Sequence, residues 1–465
     1  MATNKYMLDR VVAGAATFKG CANLRIDPGI EAALDAGASV LDPALRCIMA
    51  VRPMYRFSTP DLKTLCDAAW SVGVSDYLVP HIPVAAGATC AAYFQRRLGA
   101  VAGAAGTNHK LLSTKGVLVI ERISGSPVAI AECSVYADFD GTNAPIVHTV
   151  GQDLPGGSAG ATEKWRPAAI VDDYGGITPA VIHKIRDFSI NFGVGVGRQQ
   201  PGNSYYAVDT AITGFRPSAE FSSEDCAEAL DDSGPVAGAT AGTNGLTFLF
   251  AKYDADGVGI ETTTALAFTF RVGSPFWPTS IPFGGGGPLA VSYRVLGKGG
   301  TALGPPLAYS SGNTLPTESI VAGFFGVAVL AHNTTEYEYV AGDFDPGLDW
   351  RLEPPSGSLL WPDMAYIVDR RRTLRFSTLD ADLYQTIGNR LAISTGFHLY
   401  LRKFLANSMP EADASVKHVK ISLTAGDIEW AGLGGAHGAT IPGDVIVTGL
   451  GNVCSFTKES AITLA

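Results

Sequence analysis

The sequence predicts a mainly β (α+β) fold: three tandem, related β-sandwich or barrel-like domains, each with one short flanking helix. A short motif recurs at domain-sized intervals, which indicates internal triplication. Most apolar segments alternate with polar residues at a period of two, the pattern of half-buried strands, and only short segments show helical spacing. With 46% hydrophobic residues among 465, the chain has enough apolar surface to exclude disorder.

The repeat is carried by two landmarks in near-constant register. The first is FSTPD at 57–61, which returns as FSSED at 221–225 and FSTLD at 376–380. The second lies upstream and reads as follows: IDPGI at 26–30, INFGV at 190–194 and FDPGL at 344–348. The glycine of the second landmark precedes the phenylalanine of the first by 28, 28 and 29 residues. A chance match would not keep this spacing, so we predict one module in three copies.

The copies place the domains at 1–155, 165–298 and 317–465. Segments 151–163 and 297–316 are rich in Gly, Pro and Ser and are predicted linkers. The first copy contains an Ala/Gly-rich segment, 85–106, which we interpret as an arm that reaches a neighbouring subunit.

Each copy is predicted to begin its core with a strand that ends at the repeated phenylalanine. The following Ser-x-x-Asp resembles a capping box, so a helix is expected next. Helical spacing of apolar residues supports it in the first and third copies: Leu62, Leu65, Cys66 and Ala69, then Leu383, Ile387 and Leu391. Two further strands are expected after each helix: 116–121 and 129–136, 246–251 and 265–270, and 397–402 and 416–423.

Composition excludes several partners. The longest uncharged apolar stretch, 320–331, is shorter than the roughly 20 residues of a membrane-spanning helix, and the N-terminus shows no signal-peptide core. The net charge of −10 disfavours binding to the outside of a nucleic-acid duplex. Seven widely spaced cysteines without a CxxC pair predict reduced, mostly buried thiols.

No catalytic, cofactor-binding or metal-binding residues emerge, and we expect no enzyme activity and no cofactor. Ser158 lies in a GxSxG pattern at 156–160, but in a linker rather than a strand–helix elbow. The eight histidines show no metal-binding spacing. Segments 138–141 and 254–257 are interpreted as Asp-Gly hairpin turns rather than calcium loops. The arginine run 370–372 leaves two interpretations open, a contact with phosphate and a salt-bridged edge between subunits.

A strand ending in Phe-Ser-Thr before a short helix, preceded by a long hairpin such as 185–194, resembles the tail tube proteins of long-tailed, non-contractile bacteriophages. The resemblance implies domains that associate into a ring, and rings that stack into a hollow tube. It implies a virion protein of the tail, made in the host cytoplasm, whose partners are itself, other tail and baseplate proteins, and genome DNA that passes without specific binding. A lumen lined by carboxylates would repel the DNA phosphates.

Three copies depart from the one or two tube domains per chain that the resemblance implies. Either two chains complete a ring of six domains, or two copies line the tube while the third decorates its outside or bridges rings. The second arrangement, with three chains, is the one we favour from sequence. Another virion structural protein (head–tail joining, baseplate hub or capsid decoration) is the first alternative. A ligand- or carbohydrate-binding repeat protein is the second, and a hydrolase built on Ser158 is the third.

Overall fold

The computed structural model describes the following residues: 5–35, 45–70, 79–98, 101–102, 106–155, 162–173, 175–176, 179–234, 238–254, 257, 259–284, 288–300, 304–317, 323–332, 335–353, 360–380, 383–388, 390–393, 396–433, 443–449 and 454–462. Within them the chain is mainly β, with three short helices, as the sequence predicts. The elements fall into three modules of the same strand order.

Module 1 contains these elements: β1 (Lys5–Ala13), β2 (Ala16–Lys19), β3 (Ala22–Asp27), β4 (Ile30–Asp35), β5 (Leu45–Val51), β6 (Met54–Thr59), α1 (Leu62–Trp70), β7 (His81–Val84), β8 (Cys90–Leu98), β9 (Val101–Ala102), β10 (Asn108–Ser113), β11 (Gly116–Ser124), β12 (Ile130–Ala137) and β13 (Val147–Gln152). Module 2 contains these: β14 (Trp165–Asp172), β15 (Ala180–Ile182), β16 (Ile185–Asn191), β17 (Val194–Gln199), β18 (Asp209–Phe215), β19 (Ser218–Ser223), α2 (Cys226–Ser233), β20 (Ala239–Thr240), β21 (Leu246–Tyr253), β22 (Ile260–Phe270), β23 (Pro275–Gly284), β24 (Val291–Leu296) and β25 (Leu307–Asn313). Module 3 contains these: β26 (Phe324–His332), β27 (Thr335–Tyr337), β28 (Ala341–Asp345), β29 (Leu348–Leu352), β30 (Ala365–Arg370), β31 (Thr373–Thr378), α3 (Leu383–Ile387), β32 (Leu391–Ile393), β33 (Phe397–Phe404), β34 (His418–Leu423), β35 (Gly426–Leu433), β36 (Gly443–Gly449) and β37 (Cys454–Ser460).

One sheet runs through all three modules, and we call it the common sheet. Its strand order is β3-β6-β12-β11, then β16-β19-β24-β23, then β28-β31-β36-β35, so each module contributes four long strands. Short strands β7, β20 and β32 attach to β11, β23 and β35. The modules join where β11 pairs with β16 and where β23 pairs with β28, both antiparallel.

Each module also has a sheet of its own, which we call its back sheet. The orders correspond strand for strand: β2-β1-β8-β10-β13, β15-β14-β21-β22-β25 and β27-β26-β33-β34-β37. Aromatic side chains fill the space between the common sheet and the back sheets. Phe221 of β19 lies edge-on to Phe248 of β21, with ring centroids 5.7 Å apart, and Phe376 of β31 lies 6.3 Å from Phe397 of β33. Each module is therefore a sandwich whose buried face is the apolar core.

In each module a glycine bend connects the first common-sheet strand, β3, β16 or β28, to a projecting hairpin. Gly29, Gly193 and Gly347 all have positive φ, between +54° and +61°. In each case the glycine N–H donates to the Asp or Asn side chain two residues earlier, at 2.7–3.0 Å. The glycine carbonyl accepts from the N–H of the arginine that directly follows the returning strand of the hairpin. The bend lets the strand leave the common sheet and continue as the hairpins β4–β5, β17–β18 and β29–β30.

Replacing Gly193 by alanine should destabilise the protein strongly. The added Cβ would lie 2.1 Å from the carbonyl oxygen of Arg216, and the positive φ adds about 1–2 kcal/mol for an L-residue. We expect a lower free energy of unfolding in urea, by more than about 2 kcal/mol. The matched control is Gly202→Ala, where a Cβ meets open space and no positive φ is imposed. An equal effect of both changes would contradict the role of the bend.

The entry to each helix differs from the predicted capping box. The hydroxyl that accepts from the helix-start aspartate N–H belongs to the last strand residue, Thr59, Ser223 or Thr378, at 3.0–3.1 Å. This is a local turn bond from residue i to i+2, so the predicted Ser-x-x-Asp reciprocity is wrong. In α1 the four predicted apolar residues are buried. In module 3 the helix ends at Ile387, and the predicted helical Leu391 starts β32 instead.

The segments predicted as strand pairs after the helices do form strands, but the pair of module 1 lies in a different sheet from the pairs of modules 2 and 3. Segments 116–121 and 129–136 belong to β11 and β12 of the common sheet. The pairs 246–251 with 265–270 and 397–402 with 416–423 fall in back-sheet strands instead. The true module 1 counterparts are β8 and β10. They escaped prediction because β8 begins with small residues that give a weak alternation.

The arm predicted at 85–106 and the linker predicted at 297–316 are wrong where the structure describes these segments. Segment 85–106 contains β8, which lies between β1 and β10, and its residues Ala91 and Ala92 are 4% and 0% exposed. Segment 297–316 contains β25, so module 2 extends to Asn313 instead of ending at 298. Segment 151–163 begins with the end of β13, and its residues 156–161, with Ser158, lie outside the described residues.

A buried carboxyl at the end of α2 should make stability depend on pH. Burial, with Asp172, Glu228 and Asp231 nearby, raises the pKa of Asp232 to about 8, against a weaker opposing effect of Lys458. One oxygen of Asp232 is buried without a hydrogen-bond partner. The folded state therefore binds more protons than the unfolded state between about pH 4 and pH 8, and stability falls as pH rises through that window.

Asp232→Asn should remove most of this slope and stabilise the protein at pH 8 by about 1–3 kcal/mol. The measurement is urea unfolding at a series of pH values. Asp231→Asn is the matched control, because Asp231 is exposed and pairs with Lys458 at 3.2 Å. A slope that persists in Asp232→Asn would show that another group titrates.

Candidate functional surface

On the side of the common sheet that points away from the back sheets, Val119, Ser134 and Trp277 are buried where the hairpins β17–β18 and β29–β30 pack on it. We call the exposed remainder of this side the open face. Side chains alternate along its strands. The repeated phenylalanines Phe57, Phe221 and Phe376 are buried, and the residue before each of them, Arg56, Glu220 or Arg375, is exposed. The open face is thus a polar surface that spans all three modules.

The long strands of the common sheet carry more acidic than basic side chains. Its twelve long strands carry acidic residues and arginine but no lysine. The acidic residues outnumber the arginines, ten to six: Asp27, Glu121, Glu132, Asp187, Glu220, Asp343, Asp345, Asp427, Glu429 and Asp444, against Arg25, Arg56, Arg122, Arg186, Arg294 and Arg375. A surface of net negative charge repels nucleic-acid phosphate, because binding requires clustered cations.

Several arginines at the open face form ion pairs or hydrogen bonds with neighbouring side chains. Arg294 Nε lies 3.6 Å from Glu220 Oε1 on the adjacent strand. Arg122 Nε donates to Ser189 Oγ across the first module junction, at 2.8 Å. Near the other end of the sheet, Arg390 lies 2.5 Å from Asp427, and this hydrogen bond holds the pKa of that carboxyl below its usual value. Within the described strands, these contacts leave no continuous row of unpaired cations.

The hairpins pack each module onto the one before it. Arg198 of β17 reaches into module 1, where its Nη2 lies 3.0 Å from Asp138 Oδ1, and the two side chains are 10% and 1% exposed. Its Nη1 also donates to the Pro53 carbonyl, at 3.2 Å. From the third hairpin, Trp350 stacks obliquely on Trp277 of module 2, with centroids 6.4 Å apart.

All three modules therefore contribute strands to one sheet. Each module contributes four strands to it, and the first junction is the pairing of 122–124 with 189–191, which has no recognisable sequence signature. The arrangement favoured from sequence, with two copies lining a tube and a third outside, concerns the assembled ring and stays a prediction.

The other candidate residues do not converge on a site. Asp140 accepts from Asn143 N, Thr142 N and Thr114 Oγ1 at 2.6–2.8 Å, so its loop is closed on itself. This loop leads from one sheet to the other, so the hairpin predicted at 138–141 is wrong, whereas β21 and β22 do pair around 254–257. Arg372 is buried and Arg371 pairs with Asp369 at 2.5 Å.

The histidines and cysteines do not form a metal site in the part of the chain that the structure describes, where no group of three or more ligating side chains is arranged to hold an ion. One pair of histidines is close together: His148 Nε2 lies 3.0 Å from His109 Nδ1. Six cysteines are free and buried, which confirms the thiol prediction for these positions: Cys21, Cys66, Cys90, Cys133, Cys226 and Cys454. Burial raises the pKa of the Cys21 thiol to about 12, so it is a poor nucleophile.

Aromatic side chains do not form a repeated binding surface in the described modules. A carbohydrate-binding protein presents exposed tryptophan, yet Trp165, Trp277 and Trp361 are 1%, 5% and 7% exposed. The other three tryptophans, Trp70, Trp350 and Trp430, are half-buried. The tryptophans therefore serve packing, and the fold gives the carbohydrate-binding alternative no support.

Comparison with known proteins adds no assignment: no protein-family model and no curated protein matches the sequence. None of the helices in the described part of the chain has the length and apolarity needed to cross a bilayer.

Proposed function

We propose that this chain is a structural virion protein that assembles into stacked rings and forms the hollow tail tube through which phage DNA passes. The observation that carries the proposal is the common sheet. It joins three modules edge to edge, presents exposed charged side chains on the same face in every module, and, over the described strands, runs from β3 to β35 without closing on itself. A ring built by continuing this sheet would present the open face to an axial channel.

The charges of the open face support the same function. Ten acidic residues and six arginines, several of them paired, give a surface on which a polyanion finds no anchoring row of cations along the described strands. DNA would slide along such a wall, because phosphate contacts are what hold nucleic acid to protein. The resemblance of the repeat to tube domains implies six domains per ring, which three-module chains satisfy with two copies.

Negative-stain electron microscopy of the purified full-length protein across a range of concentrations tests the proposal. We expect rings with an axial hole, and tubes of stacked rings at higher concentration. Rings that never stack would contradict a tube and favour a hub or head–tail connector. A particle without an axial hole at every concentration would contradict a channel-forming role altogether.

A further inference from the structure

The two ends of the common sheet are related to its internal junctions by the repeat. At the first junction Ile190 of β16 pairs with Ile123 of β11, and at the second Phe344 of β28 pairs with Ile281 of β23. Both Ile190 and Phe344 are 0% exposed. The equivalent residue of module 1, Ile26 on β3, is 46% exposed, because β3 is the first strand of the sheet.

The opposite end supplies the matching strand. The last long common-sheet strand of each module has a bulge: between Ile120 and Arg122 in β11, between Pro278 and Ser280 in β23, and between Trp430 and Gly432 in β35. Before the bulge the strand pairs with a short strand of its own module, and after it with the next module. In module 3 the residues after the bulge, Gly432 and Leu433, pair only with β36 among the described residues.

We propose that β35 of one chain pairs, antiparallel, with β3 of a second copy, with Leu433 opposite Ile26 of the other chain. The register follows from the internal junctions. Leu433 is opposite Gly443, which is opposite Thr378; likewise Ile123 is opposite Ala131, which is opposite Thr59. Leu433 thus holds the position of Ile123, and Ile26 that of Ile190.

Charge complementarity favours the same partner. Near the β3 edge Arg25 lies opposite Arg56, two like charges on adjacent strands. Near the β35 edge the open face carries Asp427, Glu429 and Asp444. Asp427 and Glu429 are already close to Arg390, which leaves Asp444 to face Arg25 and Arg56 when the two ends join, whereas pairing two β3 edges would place four arginines together.

A second contact zone agrees with this pairing. Helix α1 packs on β25 of module 2, where Tyr309 Oη donates to Asp67 at 2.8 Å, and α2 packs on β37 of module 3, where Lys458 lies 2.6 Å from Glu228. In helix α3, the corresponding helix of module 3, Gln385 and Thr386 are exposed. The strand equivalent to β25 and β37 is β13, on which Val150 is 61% exposed. The proposed junction would cover both.

The junction rests on the repeat, and only the count of two chains per ring rests on the proposed function. Cysteine cross-linking of the full-length protein tests it, with positions chosen by analogy to the internal opposite pair Asn191 and Arg122. Their equivalents are Asp27 and Gly432, and a Cβ at Gly432 meets open space. Asp27→Cys mixed with Gly432→Cys should give a covalent dimer of twice 48.5 kDa under mild oxidation, reversed by reductant.

Three controls accompany the cross-linking. Each single variant alone and the wild type should stay monomeric on a non-reducing gel, and circular dichroism should show that both variants fold. Glu429→Cys mixed with Asp27→Cys should cross-link at least tenfold less, because Glu429 lies on the other side of the bulge. A dimer from Asp27→Cys alone, or none from the mixture, would overturn the junction. Cross-linking without tubes would retain the junction and reject the tube.

Discussion

Replacing Ile26 by lysine should leave the chain folded and keep it monomeric. Ile26 is 46% exposed in the single chain, so a charged side chain there costs little folding free energy. At the proposed junction the same position is buried, as Ile190 and Phe344 are. Loss of apolar burial, together with an unpaired buried charge, should weaken association by at least about 3 kcal/mol, or more than about a hundredfold in the dissociation constant.

Sedimentation velocity of Ile26→Lys beside the wild type measures this effect. Ile130→Lys is the matched control, because Ile130 is 41% exposed but lies on β12, inside the common sheet and away from both free ends. The control should assemble like the wild type. Assembly of Ile26→Lys at wild-type concentrations would show that the β3 edge is not an interface.

Arg198→Met should cause the largest loss of stability among single changes at the module junctions. Methionine keeps much of the apolar stem but removes the partner of Asp138, which is 1% exposed. Breaking a buried ion pair from one side leaves an uncompensated charge and typically costs about 3–5 kcal/mol. The carbonyl groups of Pro53 and Ala137 lose their donor as well.

Urea unfolding followed by tryptophan fluorescence gives the size of the effect. Arg351→Met removes an exposed pair, Arg351 with Asp349 at 3.2 Å, and should cost less than about 1 kcal/mol. The double variant Arg198→Met with Asp138→Asn should recover part of the loss, since the unpaired charge is gone. A loss below about 1 kcal/mol in Arg198→Met would contradict a junction held by this pair.

The internal repeat could be predicted from the sequence, but only some of the strands could. Gly29, Gly193 and Gly347 were visible because a positive φ beside a returning strand requires glycine at each copy. Strand β8 was hidden because Ala91 and Ala92 fill the sandwich with small side chains, which resemble a flexible segment in composition. Strand β25 was hidden by its serine- and glycine-rich second half, SSGN.

The functional surface was predictable only in outline. Alternation around Phe57, Phe221 and Phe376 places the preceding residue on the opposite face, so the exposure of Arg56, Glu220 and Arg375 follows from a period of two. Edge pairing between modules does not follow, because main-chain hydrogen bonds between β11 and β16 carry no side-chain signature. The free edges, and with them the proposed second copy, therefore required the structure.

A cryo-electron microscopy map of the assembled rings would show directly whether the common sheets of neighbouring chains join. We expect two chains per ring and six equivalent modules whose common sheets form one closed barrel, with β3 of each chain beside β35 of the other. A ring in which one module of each chain lies outside the barrel, or in which the β3 edge faces solvent, would contradict it.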